Sequence, residues 1–289
     1  MPTTIAKTAM NLVLQGVGDC KARLERIGAL TASANLTWLG ERALRCEGIA
    51  FSPALRQTLE VAAQAAQLDA TYSIGLHKMS DYKLVAMDMD STLITIECID
   101  EIADMQGLKA QVSEITEAAM RGELDFAASL QRRVALLEGL DASALERVYD
   151  ERLQLSPGAE TMLKAVQAAG MKTLLVSGGF TFFTERLKKR LGLDYTHANE
   201  LEIVDGKLTG KVVGGIVDAE EKKRTVERVC KELGISPSQA IVMGDGANDL
   251  KMMSISGMSV AFRAKPVVRE QANVALNFVG LDGILPLLT

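Results

Sequence analysis

Lys83 to Asp100, KLVAMDMDSTLITIECID, is the stretch that decides the reading. Leu84 to Met87 has the length and character of a short buried strand, and it breaks off at two carboxylates, Asp88 and Asp90, just before a helical pattern begins. Two nearby carboxylates at the end of a buried strand carry a desolvation cost that a cation or a charged substrate can offset. A divalent metal is the natural candidate. With phosphorus as the target, Asp88 can serve as a covalent nucleophile while Asp90 handles the proton. Alone, a D-x-D pair also fits a carboxylate-bearing turn that caps a helix, so the choice rests on the remainder of the chain.

At 289 residues the chain can form one large domain with a satellite, or two domains. Apolar residues at 48% and charged residues at 24% place it with soluble globular proteins, away from disordered chains and disulfide scaffolds. A net charge of -5, with 32 basic residues scattered along the chain, argues against a nucleic-acid partner. Cys20, Cys46, Cys98 and Cys230 form no CxxC pair and read as reduced thiols in a cytoplasmic protein. His77 and His197 are too few for a histidine-rich metal site. No apolar stretch approaches the roughly 18 residues of a membrane span, and the N-terminus lacks the pattern of a secretory leader.

Residues 1–80 follow a pattern of their own. A strand at Asn11 to Val17, a helix at Cys20 to Ala34 and two short strands at Leu36 to Leu39 and Arg42 to Glu47 lead to Ser52-Pro53, a helix start. That helix runs to about Gln67, and Thr71 to Leu76 reads as a last strand. The order βαββαβ suits a ferredoxin-like α+β domain.

From 81 to 289 the expectation is a catalytic domain. A helix-rich insertion at about 99–153 follows the first strand and reads as a cap over the site, or as an ordinary peripheral layer. An α/β rhythm then sets in, with strands at Lys172 to Val176, Ala240 to Met243 and Met258 to Phe262, and a hairpin at Leu201 to Val204 and Lys207 to Val213 turning at Asp205-Gly206. Such alternation implies a mainly parallel sheet, whose ligands sit beyond the carboxyl ends of the strands.

Three strand ends carry polar groups that can converge there. Asp88 and Asp90 end the first, Ser177-Gly178-Gly179 follows the second, and Gly244 to Asp249, GDGAND, follows the third. The glycines let backbone N–H groups approach a phosphate, and Ser177 adds a hydroxyl at the start of a helix. Asp245 and Asp249 are hard oxygen ligands suited to Mg²⁺. Singly, SGG also fits a plain turn and GDGAND a calcium turn or a helix cap. Attack by Asp88 on a phosphate dianion beside those carboxylates requires cations, and Lys222 or Lys223 can supply one.

The order D-x-D-[ST]-T, SGG, K, GDGxND resembles the haloacid dehalogenase-like phosphatases across residues 84 to 289, in all four of that family's motif regions. The resemblance implies a Rossmann-like core with a helical cap, a Mg²⁺ ion and a phosphoaspartyl intermediate. It makes Asp88 the nucleophile, Asp90 the acid/base and Lys222, preferred to Lys223 by its place relative to GDGAND, the neutralising cation. Ser177, Gly178, Gly179 and Asn248 would hold the phosphoryl group. Asp88, Asp245, Asp249 and Asp90, the last through its backbone carbonyl, would surround the metal.

Within the superfamily, DMDSTLITIECIDEIA and MRGELDFAASLQRRV resemble the phosphoserine phosphatases. That likeness places Glu97 on the substrate ammonium, Arg133 on its carboxylate, and Met120 and Phe126 as apolar cover. A zwitterionic amino acid does require an anion and a forked cation. Met89 stands where that family often has phenylalanine, and its side chain is expected to point away from the chemistry. The implied reaction is hydrolysis of O-phosphoserine, the last step of serine biosynthesis. Transfer of the phosphoryl group to another alcohol such as homoserine, or an amino-acid-sensing regulatory role, are the open alternatives. The N-terminal module resembles an ACT-like domain, which implies serine sensing or a homodimer formed through it, or simply a folded spacer.

Overall fold

A computed structural model describes residues 9–50, 52–120 and 123–289. The N-terminal part runs β1 (Ala9–Gln15), α1 (Lys21–Ala29), β2 (Asn35–Trp38), β3 (Ala43–Ala50), α2 (Pro53–Ala65) and β4 (Asp69–Ser73). Its antiparallel sheet has the order β2-β3-β1-β4. Alternation along β1 divides its side chains: Leu12 and Leu14 pack with Leu24, Ile27 and Leu59, whereas Val13 joins the core of the following domain. Ser52 caps α2 by accepting from Leu55 N–H at 3.1 Å, with Pro53 in the first turn. Several boundaries differ from expectation: the first strand lies two residues earlier, at Ala9–Gln15, and the third runs on to Ala50. The first helix stops at Ala29, because the chain turns through a left-handed Ala32 (φ 52°), and the last strand starts two residues early, at Asp69.

β5 (Leu84–Met87) is fully buried, as its composition requires. After an irregular turn come the cap helices α3 (Cys98–Asp104), α4 (Lys109–Met120), α5 (Phe126–Ala135) and α6 (Ser143–Glu151). Then follow α7 (Ala159–Ala168), β6 (Lys172–Phe180), α8 (Thr181–Leu191), β7 (Tyr195–Val204), β8 (Lys207–Val213), α9 (Ala219–Glu232), β9 (Ala240–Gly244), α10 (Leu250–Met253), β10 (Met258–Phe262), α11 (Pro266–Gln271) and β11 (Val274–Leu276).

The seven strands lie in the order β11-β10-β9-β5-β6-β7-β8, all neighbours parallel except β7 and β8. Alternation again divides the sheet: Val85, Met87 and Leu175 face one apolar cluster, and Leu84, Ala86 and Leu174 the other. The chain leaves β5 toward β6 and later returns to its other side at β9. This reversal of direction opens a crevice at the carboxyl ends of β5 and β9, where Asp88 and Asp245 stand.

The β7–β8 turn has Asp205 and Gly206 both left-handed (φ 50° and 74°), the conformation that suits a two-residue hairpin. The hairpin also carries the cap: Gly139 N–H donates to Leu208 O and Leu208 N–H to Leu140 O, both at 2.8 Å. β11 and the first half of β7, which pairs in parallel with β6, were not expected; three residues and a polar YTHAN run give little strand signal. All four cysteines are buried free thiols. No helix among the described residues is long and apolar enough to cross a membrane.

Candidate active site

Asp88 leaves β5 in an extended conformation and is 5% exposed. The helix expected right after Asp90 is instead a compact turn over Met89–Leu93, with Ser91 left-handed (φ 55°) and Ile94 N–H bonded to Met89 O at 3.0 Å; regular helix resumes only at Cys98. The turn directs Asp90 back over the strand end. Its Oδ1 accepts from Cys98 N–H at 3.1 Å. Burial and the nearby Glu97 push Asp90 up to about 7, against the pull of Cys98 and Lys222. Met89 is fully buried in the core, with its Cε close to Gly179.

Lys222, in α9, is completely buried and divides its ammonium between Asp88 Oδ1 and Asp249 Oδ1, 2.8 Å from each. Burial works against its charge, but Asp249 and Asp88 more than compensate and hold the amine protonated well above its usual range. Lys223 lies outward beside Glu227, so the choice between the two lysines falls on Lys222. Asp88 Oδ1 also accepts from Met89 N–H at 2.8 Å. Asp249 has both oxygens engaged, since Oδ2 accepts from Asp245 N–H at 3.2 Å and Gly246 N–H at 3.0 Å.

Ser177, Gly178 and Gly179 belong to extended β6 rather than to a turn, and α8 starts only at Thr181. The extension is held from β7: the buried Asn199 donates through Nδ2 to Gly178 O at 2.7 Å. The two glycines are required by close approach. A Cβ on Gly179 would stand 2.7 Å from Asp90 Oδ2, and one on Gly178 would stand 2.8 Å from Phe126 Cζ in the cap. Ser177 Oγ accepts from Gly179 N–H at 2.8 Å, which leaves its own O–H free to donate.

A cavity of about 670 Å³ lies between the strand ends and the cap, and Glu97, Phe126, Arg133 and Asn248 share its lining with the aspartates. Ser91 Oγ donates to Glu97 Oε1 at 2.6 Å, and burial raises that carboxyl. Arg133 enters from the last turn of α5, its charge facing Asp100, Glu97 and Asp90. Met120 ends α4, and its side chain lies outside the described residues.

Carboxylate oxygens of Asp88, Asp245 and Asp249 fall within 4.8 Å of one another. Three carboxylates against the single ammonium of Lys222 leave two negative charges (3 − 1 = 2), a donor set that fits a divalent cation. Burial and Asp249 push Asp245 up to about 6, as expected of acidic groups crowded together.

Comparison with known proteins fits this geometry. The family model of the haloacid dehalogenase-like hydrolases matches residues 82–257. The chain belongs to this family. In this haloacid dehalogenase-like hydrolase the matched range runs from the strand bearing Asp88 through the cap to the Asp245 loop. A curated phosphoserine phosphatase of Polaromonas sp. is 58% identical over 216 residues, covering 73% of this chain and 92% of that protein. Among solved structures, a HAD family hydrolase from Salmonella enterica serovar Typhi superposes with a TM-score of 0.87 at 33% identity, over 97% of this chain and 98% of its own. A probable phosphoserine phosphatase from Vibrio cholerae, unliganded, does so with 0.82 at 36% identity, over 100% and 89%.

Sequence reasoning missed several residues of this hydrolase's site. Thr92 is fully buried and donates to Asp245 Oδ1 at 3.2 Å; its place in the D-x-D-[ST]-T pattern was the available signal. Asn199 carried none. Asp100 and Lys265 line the cavity, and Lys265 N–H donates to Asp245 O at 3.2 Å.

Proposed function

We propose that the chain is a phosphoserine phosphatase, hydrolysing O-phosphoserine to serine and phosphate through a phosphoaspartyl intermediate on Asp88. One observation carries the reading: a single cavity joins Asp88, paired behind it with the buried Lys222, to an anion and a forked cation, Glu97 and Arg133, set for a zwitterion. The names of the Polaromonas and Vibrio proteins support it.

Asp88 Oδ1 is engaged by Met89 N–H and Lys222, so Oδ2 faces phosphorus. Its attack forms the phosphorus–oxygen bond to Asp88 and breaks the bond to the serine oxygen, which takes the proton of Asp90. Water then attacks phosphorus and gives a proton to Asp90, and the bond to Asp88 breaks. Ser177, Gly178, Gly179 and Asn248 hold the phosphoryl oxygens, the Gly179 N–H acting through the Ser177 hydroxyl it fixes, and Lys222 balances their charge. Glu97 binds the substrate ammonium and Arg133 its carboxylate, while Met120 and Phe126 exclude water. A divalent ion, assigned as Mg²⁺, would be held by Asp88, Asp245 and the Asp90 carbonyl with Asp249 behind them, and when bound it neutralises phosphate charge.

Acid quenching after mixing with radiolabelled phosphoserine tests the nucleophile. The unaltered protein is expected to retain acid-stable, hydroxylamine-sensitive label, and Asp88→Asn none; label persisting in the variant contradicts the assignment.

We assign residues 1–80 to an ACT-like domain and 81–289 to the cytoplasmic, catalytic unit, with the cap at about 99–153. The edge strand β2, all four residues exposed and including Leu36 and Trp38, supports pairing of two copies through the N-terminal domain. Sedimentation of the whole chain at twice its 31.1 kDa mass is the expected result.

A further inference from the structure

Asp69 opens β4 on the face of the N-terminal sheet that meets the catalytic domain, and only 2% of it is exposed. Its carboxylate accepts three backbone N–H groups from the other domain: Asn277 at 2.8 Å on Oδ1, and Phe278 at 3.0 Å and Val279 at 2.9 Å on Oδ2. No cation of the chain is within ion-pair distance of it among the described residues. An ionised group aimed at three consecutive amides makes charge-assisted bonds, stronger and more directional than ordinary interface contacts.

The gripped segment follows β11 at its carboxyl end, the end at which the catalytic residues stand. From there, a continuous set of backbone hydrogen bonds leads inward. Leu276 O accepts from Arg263 N–H at 2.7 Å, just past β10, where Arg263 is left-handed (φ 46°). Two residues on, Lys265 N–H donates to Asp245 O at 3.2 Å, and Lys265 itself lines the active-site cavity. β10 and β9 are in register here, Ala261 opposite Gly244, so the residues after both strands emerge side by side.

We propose that Asp69 is a positioning residue for the catalytic site: the N-terminal domain, through this one carboxylate, sets the segment 277–279, hence the 263–265 turn, hence the backbone of Asp245. The domain is then part of the machinery that holds a candidate metal ligand in place. The consequence for catalysis rests on the role proposed above for Asp245; the structural coupling does not.

The test is hydrogen–deuterium exchange on the full chain without metal, comparing the unaltered protein with Asp69→Ala and the isosteric Asp69→Asn, alongside phosphoserine turnover. Asp69→Asn keeps one acceptor and serves if the alanine variant fails to fold. The expected result is exchange about tenfold faster at 263–265 and 244–249 as well as at 277–279, with β6 and β7 unchanged. In turnover, kcat falls more than KM rises, because the cap end of the substrate site is untouched. Arg45→Met is the control: it removes another tie between the domains, Arg45 Nη1 to Thr289 Oγ1 at 2.7 Å, and leaves exchange at 263–265 unchanged. Acceleration confined to 69–73 and 277–279, or equal acceleration in Arg45→Met, overturns the proposal. If the exchange pattern holds while the unaltered protein does not hydrolyse phosphoserine, the coupling stands and the substrate assignment fails.

Discussion

Lys222 Nζ lies 2.8 Å from Asp88 Oδ1, and neither side chain is more than 7% exposed. The same ammonium is 2.8 Å from Asp249. Removing one member of such a buried set leaves the others without compensation. Lys222→Met is therefore expected to lose about 3 kcal/mol of stability in EDTA by urea titration, with turnover lowered roughly a hundredfold or more. Unchanged midpoint and turnover would remove Lys222 from the mechanism.

Gly179 is needed for space rather than for an unusual backbone angle. Gly179→Ala puts a methyl group against Asp90 Oδ2 and Met89 Cε, at 2.7 and 2.8 Å. Displacing the acid by a fraction of an ångström is expected to lower kcat by on the order of a hundredfold, while the thermal midpoint moves by only a few degrees, about what 1 kcal/mol produces. A variant of full activity would show that Asp90 is not held against this strand.

Asp245 gives a pH-dependent test. Its carboxyl is raised from 3.8 to about 6 in the folded protein, chiefly by burial and then by Asp249. The folded state thus holds the proton more tightly than the unfolded chain. Its contribution is fully present below about pH 3.8 and is lost as pH rises through about 6. In EDTA at pH 8, Asp245→Asn is expected to be more stable than the unaltered protein by about 3 kcal/mol, and the difference should largely vanish near pH 4. Excess Mg²⁺ at pH 8 should reverse the order, because only the unaltered site gains from the ion. The same order in EDTA and in Mg²⁺ would place the metal elsewhere.

Asp90, raised to about 7, must be protonated to release serine. Turnover of phosphoserine is expected to fall as pH rises above about 7, and Asp90→Asn to slow formation of the phosphoaspartate far more with phosphoserine than with p-nitrophenyl phosphate, whose leaving group needs no proton. Equal losses on both substrates would assign Asp90 a different role.

The strand ending in Asp88 and Asp90 was legible because two carboxylates after four apolar residues conflict with burial unless they serve chemistry. GDGAND was legible for the same reason, a lysine at 222 or 223 from the charge that attack on a phosphate requires, and the choice of Lys222, with Glu97 and Arg133, through resemblance. What escaped was set by long-range satisfaction of buried polar groups. Thr92 finds Asp245 153 residues away, and Asp69 finds Asn277 208 residues away. Neither aspartate, threonine nor its neighbours show this locally. The SGG segment read as a turn because glycine permits one; Asn199, on the next strand, keeps it extended instead. The turn after Asp88 hides behind apolar spacing that also suits a helix, and Ser91 breaks that pattern with a left-handed backbone.

The most direct measurement of the central claim is kcat/KM for O-phospho-L-serine and for p-nitrophenyl phosphate, with Mg²⁺ and with EDTA, in the unaltered protein and in Arg133→Ala. The account predicts a strong preference for phosphoserine, loss of turnover in EDTA, and a drop in the variant of about a hundredfold for phosphoserine with little change for p-nitrophenyl phosphate. Equal turnover of both substrates, with Arg133→Ala matching the unaltered protein, would contradict it.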